Sequence, residues 1–300
     1  PGSTPGRFMK DDRSIVASSS RDIRRALNPR RRDSHKGDNG VVLVVGGSWL
    51  YHGAPVLSAM AALRTGADLA FVAVPRQIVA SVRAQSPNII AYPMPDAKLT
   101  LGSAQKLLRW LPSVDSAVVG PGMGRQNTSG MIHLVTELSK RDVKLVLDAD
   151  ALVRDVVSAV AARDVVITPH AGEFQRLFNS MIETDSLRKR AQEVARMAAE
   201  AKVVILLKGQ ADIVSDGKRT VVNRTGSPAM TVGGTGDVLS GVVAALMAQG
   251  ATPFDAAVAG ARINGLSGEL AAGELGMHIV ATDVIDHLPL ILKSFDRLSG

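Results

Sequence analysis

The 300-residue chain contains no cysteine, which excludes disulfides, thiolate metal sites and a cysteine nucleophile and fits a reducing compartment. Aromatic residues make up only 3%, too few for the stacking platforms that hold single-stranded nucleic acid. No apolar run approaches the roughly 20 residues needed to span a bilayer. The N-terminus lacks the apolar middle region of a signal peptide, and a soluble cytoplasmic protein is the default expectation. The six histidines are scattered and show no H-E-x-x-H spacing, so a zinc site is not expected. Two phosphate-binding fingerprints are also missing. There is no G-x-x-x-x-G-K-[ST], which excludes a Walker-type site, and no G-x-G-x-x-G after the first apolar run, which removes the main support for a Rossmann dehydrogenase. Neither an internal repeat nor a low-complexity linker divides the chain.

What is present suits a globular α/β protein, with 46% hydrophobic and 21% charged residues. The net charge of +7 is unevenly spread. The first forty residues hold ten Lys/Arg against five Asp/Glu, and the other 260 hold 25 against 23. The excess is densest at Arg24, Arg25, Arg30, Arg31 and Arg32. We read residues 1–34 as a solvated basic arm, with a nucleic-acid contact as the weaker alternative. The opening PGSTP stretch is set aside as resembling an expression remnant. Residues 35–298 are then a single catalytic domain.

Within that domain, short β-branched runs alternate with helical patterns. Strands are predicted over 41–45, 69–74, 89–92, 117–119, 144–147, 165–167 and 203–207, and helices over 54–64, 103–110, 129–139, 186–201, 238–248 and 254–272. Such alternation, with continuously apolar strands, predicts a mostly parallel sheet covered on both faces. A hairpin at 211–223, turning at 215–217, reads as an antiparallel edge. A last helix starts near Thr282, as N-cap, with Asp283 in its first turn.

The densest chemical signal is the segment 231–241, TVGGTGDVLSG. Three glycines in four positions precede an apolar, helix-periodic run. A glycine-rich turn feeding a helix N-terminus offers free N–H groups and the positive end of the dipole to an anion. Asp237 sits at that helix head, where a carboxylate either does chemistry on a hydroxyl or simply caps the helix. Five more loops follow predicted strands: Gly46-Gly47-Ser48, the GPGMG at 120–124, Asp148-Ala149-Asp150, the TPHAGE at 168–173, and Lys208-Gly209. In a parallel sheet all five open on the carboxyl edge, where α/β proteins bind ligands. Each also has a plainer reading. Asp148 and Asp150 could cap helices, His170 could bond a backbone carbonyl, and Glu173 could be a first-turn charge.

Taken together, the segments at 36–48, 51–70 (YHGAPVLSAMAALRTGADLA), 120–124, 146–152 (VLDADAL), 168–174 (TPHAGEF), 206–209 (LLKG) and 223–250 resemble the NAD(P)H-hydrate dehydratases of the ribokinase-like superfamily. The resemblance covers about residues 35–292. It implies an α/β, ribokinase-like fold: a central, mostly parallel sheet flanked by helices, with the small antiparallel hairpin at its edge. It also implies a reaction, the ADP- or ATP-dependent dehydration of hydrated NADH or NADPH (the S epimer). The ring hydroxyl is phosphorylated, and phosphate, a far better leaving group than hydroxide, is then eliminated.

Carried over by position, Asp237 assists proton removal from the substrate hydroxyl, and Gly234, Thr235 and Gly236 donate N–H groups to the transferring phosphoryl group. Lys208, Gly209, Gln210, Ala211 and Asp212 line the donor site, with Asn223 and Gly236 beside the nucleotide. Ala54, Gly122, Gly124, His170 and Asp237 face the hydrated dinucleotide. Its nicotinamide end lies between Asp237 and the His170 loop, with the donor at the other, Lys208, end of an open groove. Mg2+ enters with the donor, and Asp148, Asp150 and Glu173 are the candidate carboxylates for it. Expected partners are the two nucleotides, a homo-oligomer with a tetramer foremost, and an NAD(P)H-hydrate epimerase; neither nucleic acid nor membrane is expected. Two departures stand out. Gln210-Ala211-Asp212 replaces a family segment that often carries Thr, putting a carboxylate beside phosphates, and Asp68 stands where glycine is usual. Competing readings are a hydroxyethylthiazole- or hydroxymethylpyrimidine-type kinase of the same superfamily, and a nucleotide-sensing protein without turnover.

Overall fold

The computed structural model describes residues 16–124, 128–182 and 186–300; the PGSTP stretch lies outside them. Helix α1 (Ser20–Ala26) and strand β1 (Arg30–Arg31) come first, followed by β2 (Val41–Val45), α2 (Gly53–Arg64), β3 (Leu69–Pro75), α3 (Val79–Gln85) and β4 (Ile89–Met94). Next are α4 (Leu101–Trp110), β5 (Ser116–Val119), α5 (Thr128–Lys140), β6 (Lys144–Leu147), α6 (Arg154–Ser158), β7 (Val165–Ile167), α7 (Ala171–Phe178), α8 (Leu187–Ala201) and β8 (Val204–Leu207). The hairpin β9 (Asp212–Ser215) and β10 (Thr220–Asn223) leads to α9 (Thr235–Ala248), α10 (Pro253–Leu275), α11 (Ala281–Leu292) and β11 (Leu298–Ser299).

Nine strands form one sheet in the order β10-β9-β8-β7-β6-β5-β2-β3-β4. Strands β2 to β8 run parallel, and β9 pairs antiparallel with both β8 and β10. The predicted parallel sheet with an antiparallel edge is therefore the one observed. The strands are continuously apolar because alternate residues feed two separate cores. Val42, Val44, Val72, Val118, Val146 and Val166 join the layer built on α2, α9, α10 and α11. Leu43, Val45, Phe71, Ala117, Leu145 and Ile167 join the layer under α4, α5, α7 and α8. The strand order reverses between β2 and β5, which makes their carboxyl ends the topological switch point.

Three details differ from expectation. Residues 16–34, expected to be a solvated arm, pack onto the domain: Ile23 and Ala26 are buried in the first core, and Val16–Ser18 pairs with Val222 through Val222 N to Val16 O (2.9 Å) and Ser18 N to Val222 O (2.9 Å). The basic side chains of the segment are exposed, while Ile23 and Ala26 face inward. The last helix begins one residue before Thr282, with Val280 as its N-cap, and Asp283 accepts from Val280 N at 2.7 Å. Asp68, in place of the usual glycine, accepts from Gly37 N (2.9 Å), Asn39 N (3.1 Å) and the Arg30 guanidinium (2.9 Å). It ties the loop before β2 to the start of β3, and despite partial burial those donors hold its carboxyl below the usual carboxylate range.

Candidate active site

The strand-end loops converge on the first turn of α9. Its N-cap, Gly234, has φ 97°, a conformation that strains any residue with a side chain. A Cβ there would also lie 2.6 Å from Leu57 Cδ1. No side chain caps α9, so its leading N–H groups and the positive dipole end are available to an anion. Thr235 turns its hydroxyl back, donating to Met230 O at 3.0 Å. That braces the turn. Gly236 is helical rather than left-handed; its role is spatial, because a Cβ there would lie 3.2 Å from Lys208 Nζ.

Asp237 is not a cap, since α9 has no side-chain cap bond. Burial pushes its carboxyl up from 3.8 to about 7, the nearby Asp148 charge adds to this, and Lys208 opposes it. A carboxylate poised near neutrality at the head of an uncapped helix is chemically a proton acceptor.

Lys208 lies at the centre of the site. Its backbone N donates to Pro169 O (2.8 Å), and it forms a parallel bridge with His170. Its ammonium donates to Asp148 Oδ1 at 2.9 Å. Burial alone would lower the Lys208 pKa, but Asp148, Glu173 and Asp237 outweigh it and the group is held above its ordinary value. Asp148 is buried, and the same Oδ1 accepts from Ala149 N at 2.9 Å. It is therefore both the cap of the short 3-10 turn Ala149–Ala151 and the counter-ion of Lys208.

His170 is the N-cap of α7. Its Nδ1 accepts from Gly172 N (3.0 Å) and Glu173 N (3.3 Å), while Glu173 Oε2 accepts from His170 N at 2.8 Å. The plainer alternative, a bond to a backbone carbonyl, is not what the ring makes; it accepts from backbone amides. These require Nδ1 to be unprotonated and leave Nε2, on a half-exposed ring, 3.5 Å from Glu173 Oε1. His170 and Lys208 are neighbours across β7 and β8, so the two ends expected for the groove are one place. Both flank Asp237.

At the switch point, Gly47 N donates to Pro121 O (2.8 Å), and a Cβ on Gly122 would lie 2.6 Å from Tyr51 O and 3.0 Å from Ala54 Cβ. Ala54 and Gly122 are thus in contact, and Gly124 N is held by Asp150 Oδ2 at 2.7 Å. In the turn after Lys208, the carboxylate of Asp212 is engaged within the protein. It accepts from Gly209 N (3.1 Å) and Asn223 Nδ2 (3.1 Å), and burial raises it to about 6. Asp212 thereby braces the Lys208-Gly209-Gln210-Ala211 turn. Asn223, expected beside the nucleotide, is held within the protein. It is buried, and its amide is occupied by Ser18, Thr225, Asp212 and Ala261, so it shapes the loop from within.

Asp148, Asp150 and Glu173 do not converge as a metal cage. Each is engaged elsewhere, and among the described residues no group of three or more His, Asp or Glu is placed to hold an ion. Sequence reasoning also passed over Ser58, whose hydroxyl donates to Asp237 O at 2.9 Å from the middle of α2. The only hint was a run of small residues on two facing helices.

A family profile described as NAD(P)H-hydrate dehydratase matches residues 42–290. The ADP-dependent (S)-NAD(P)H-hydrate dehydratase of Cenarchaeum symbiosum is 49% identical over 278 residues, which are 92% of this chain and 96% of that protein. The bifunctional NAD(P)H-hydrate repair enzyme of Pyrobaculum aerophilum is 46% identical over 269 residues, 89% of this chain but 53% of that protein. Among solved structures, the ADP/ATP-dependent NAD(P)H-hydrate dehydratase of Bacillus subtilis, co-crystallized with ATP/Mg2+, superposes with a TM-score of 0.77 at 26% identity, covering 95% of this chain and all of that one. The fold is ribokinase-like, as the sequence led us to expect.

Proposed function

The chain belongs to the NAD(P)H-hydrate dehydratase family, and from that premise we propose how its residues carry out the reaction. The protein is an ADP- or ATP-dependent dehydratase that returns hydrated NADH or NADPH to the reduced cofactor. The observation that carries the residue assignment is a single carboxylate. Asp237 has a pKa near 7 and stands beside a helix N-terminus free of any side-chain cap.

Asp237 takes the proton of the ring hydroxyl as that oxygen attacks the terminal phosphorus of the donor. The anhydride bond breaks, releasing AMP from ADP or ADP from ATP. The N–H groups of Gly234, Thr235 and Gly236 receive the charge that develops on the phosphoryl oxygens. The C–O bond to the phosphorylated ring then breaks, driven by the ring nitrogen lone pair. Phosphate leaves, and loss of a proton from the adjacent ring carbon restores the double bond. Lys208 supplies a fixed positive charge beside Gly236, and Asp148 orients it. The Ala54, Gly122 and Gly124 side, with His170, receives the dinucleotide.

Magnesium fits as a companion of the donor's phosphates. Asp148 and Glu173 would reach it through water, and it would offset charge on the leaving nucleotide. We also propose a homo-oligomer, a tetramer foremost, supported by the exposed run Trp49, Leu50 and Tyr51. Pairing with an NAD(P)H-hydrate epimerase is supported by the bifunctional relative, about half of which lies outside the match. No described helix is long and apolar enough to cross a membrane, and a cytoplasmic location is part of the same proposal.

The test is incubation with hydrated NADH and, separately, ADP and ATP, following the absorbance of the reduced ring and the release of phosphate. Free phosphate with restored NADH is expected. A stable phosphoester would make the protein a kinase instead.

A further inference from the structure

Helix α8 carries its charge the wrong way round. Its first turn contains no acidic residue and its last turn no basic one, while Arg188, Lys189 and Arg190 crowd the positive end of the dipole. Cations at a helix N-terminus are unfavourable unless an anion offsets them. Arg188 and Lys189 have partners. Arg190 is different: among the described residues its side chain forms no ion pair or hydrogen bond, and its Nε is buried without a partner. A buried guanidinium donor left unsatisfied is costly, and its presence calls for a ligand to complete it.

Its position indicates which ligand. The Arg190 guanidinium stands 3.1 Å from where a Cβ on Gly209 would lie. Gly209 follows Lys208, whose ammonium in turn borders Gly236 at the head of α9. Two cations therefore flank the Lys208-Gly209 turn, and they differ in one respect: Lys208 is already bonded to Asp148, while Arg190 is uncommitted. Asp212, in the same turn, is taken by Gly209 N and Asn223.

We propose that Arg190 is a phosphate ligand of the nucleotide donor, contacting the phosphate that stays with the leaving nucleotide, while Lys208 and the α9 turn serve the phosphoryl group that is transferred. A planar guanidinium suits a non-transferred phosphate because it can grip two oxygens at once and hold them still while the neighbouring bond breaks. The inference rests on the donor-site reading above.

The experiment measures ADP, ATP, adenosine and inorganic pyrophosphate binding by calorimetry to the wild type, Arg190→Gln and Arg190→Lys, with thermal unfolding of each. Loss of one charge-assisted contact predicts about ten- to a hundredfold weaker ADP and ATP binding in R190Q. Pyrophosphate should weaken in parallel, adenosine should be unchanged, and R190K should fall between the wild type and R190Q. In steady-state assays the KM for donor should rise far more than the KM for hydrated NADH. Unchanged ADP affinity in a folded R190Q protein overturns the proposal, as does an equal loss for adenosine, which would mark a packing role. The reading of the reaction fails separately, if wild-type protein binds ADP through Arg190 but does not convert hydrated NADH.

Discussion

At the residue scale the proposed mechanism turns on Asp237. As proton acceptor it must be ionised, so the rate of the phosphoryl-transfer step should climb with pH through about 7 and then level off. Asp237→Asn should lower turnover by more than about a hundredfold and abolish that pH dependence, while ADP binding persists. The same group has a stability signature of opposite sense. Its folded-state pKa is raised from 3.8 to about 7, so its favourable contribution is complete below the unfolded value and disappears as pH rises through the folded one. D237N should therefore raise the melting temperature at about pH 8, where the wild type bears a buried charge, and much less at about pH 5. A variant equally stabilised at both pH values, or one that turns over like the wild type, would remove Asp237 from the mechanism. Gly236→Val tests the neighbouring space. Gly236 is helical and the substitution strains no φ, but the new Cβ would press on Lys208 Nζ at 3.2 Å. Expected is an intact fold with at least about tenfold weaker ADP and ATP binding in calorimetry, because Lys208 must move from its charge-assisted bond. Residues such as Asp237 and Gly236 were legible because glycines, a carboxylate and an apolar period stood together in one segment. Lys208's bond to Asp148 was not, because it joins residues 60 apart and depends on the order of β6, β7 and β8.

At the scale of elements, the site depends on how α2 meets α9. A Cβ on Gly241 would lie 2.1 Å from Ser58 O, so the two helices touch backbone to backbone there. At the same contact Ser58 Oγ donates to Asp237 O and lies 3.2 Å from Ser240 Oγ. This crossing orients the first turn of α9 from behind. Gly241→Leu should force the helices apart, costing roughly 1–3 kcal/mol or more of stability, and should reduce kcat together with stability by shifting Asp237. A melting temperature equal to that of the wild type would show that the contact is not as tight as described. The strands and long helices were readable from sequence because each follows one hydrophobic period over many residues. Helices α3, α6 and α7 were not, being 7, 5 and 8 residues long, too short for periodicity to separate them from turns. Helix α7 in particular is started by the reciprocal His170–Glu173 cap, and imidazole is not among the usual N-cap side chains.

At the scale of the whole molecule, the basic N-terminal segment proves to be part of the sheet's protection. Residues 16–18 hydrogen-bond to β10, the outermost strand, through Val16 O and Ser18 N, covering an edge that would otherwise be open to pairing. Helix α1 seals the first core with Ile23 and Ala26, and the stretch before it is tied to α10 by Arg262, which donates to Ser18 O at 3.0 Å. Strand β1 pairs with β11, joining the two ends of the described chain. Composition could not show this, because the segment's charge hides two inward-facing apolar residues among many exposed polar ones. Removal of residues 1–34 should therefore expose the β10 edge and the Ile23 seat. Loss of Ile23 burial alone compares with a large-to-small core substitution of about 2–5 kcal/mol. We expect a fall in melting temperature of several degrees or more and concentration-dependent association of the truncated protein, read by thermal unfolding and light scattering. A truncated protein that is monodisperse and melts like the full chain would mean the segment is an appendage after all. For the same reason nucleic-acid binding by the basic residues cannot be judged by truncation. Neutralising an exposed side chain such as Arg32 tests charge without removing the segment, and RNA or DNA retention compared at several salt concentrations then isolates charge from fold.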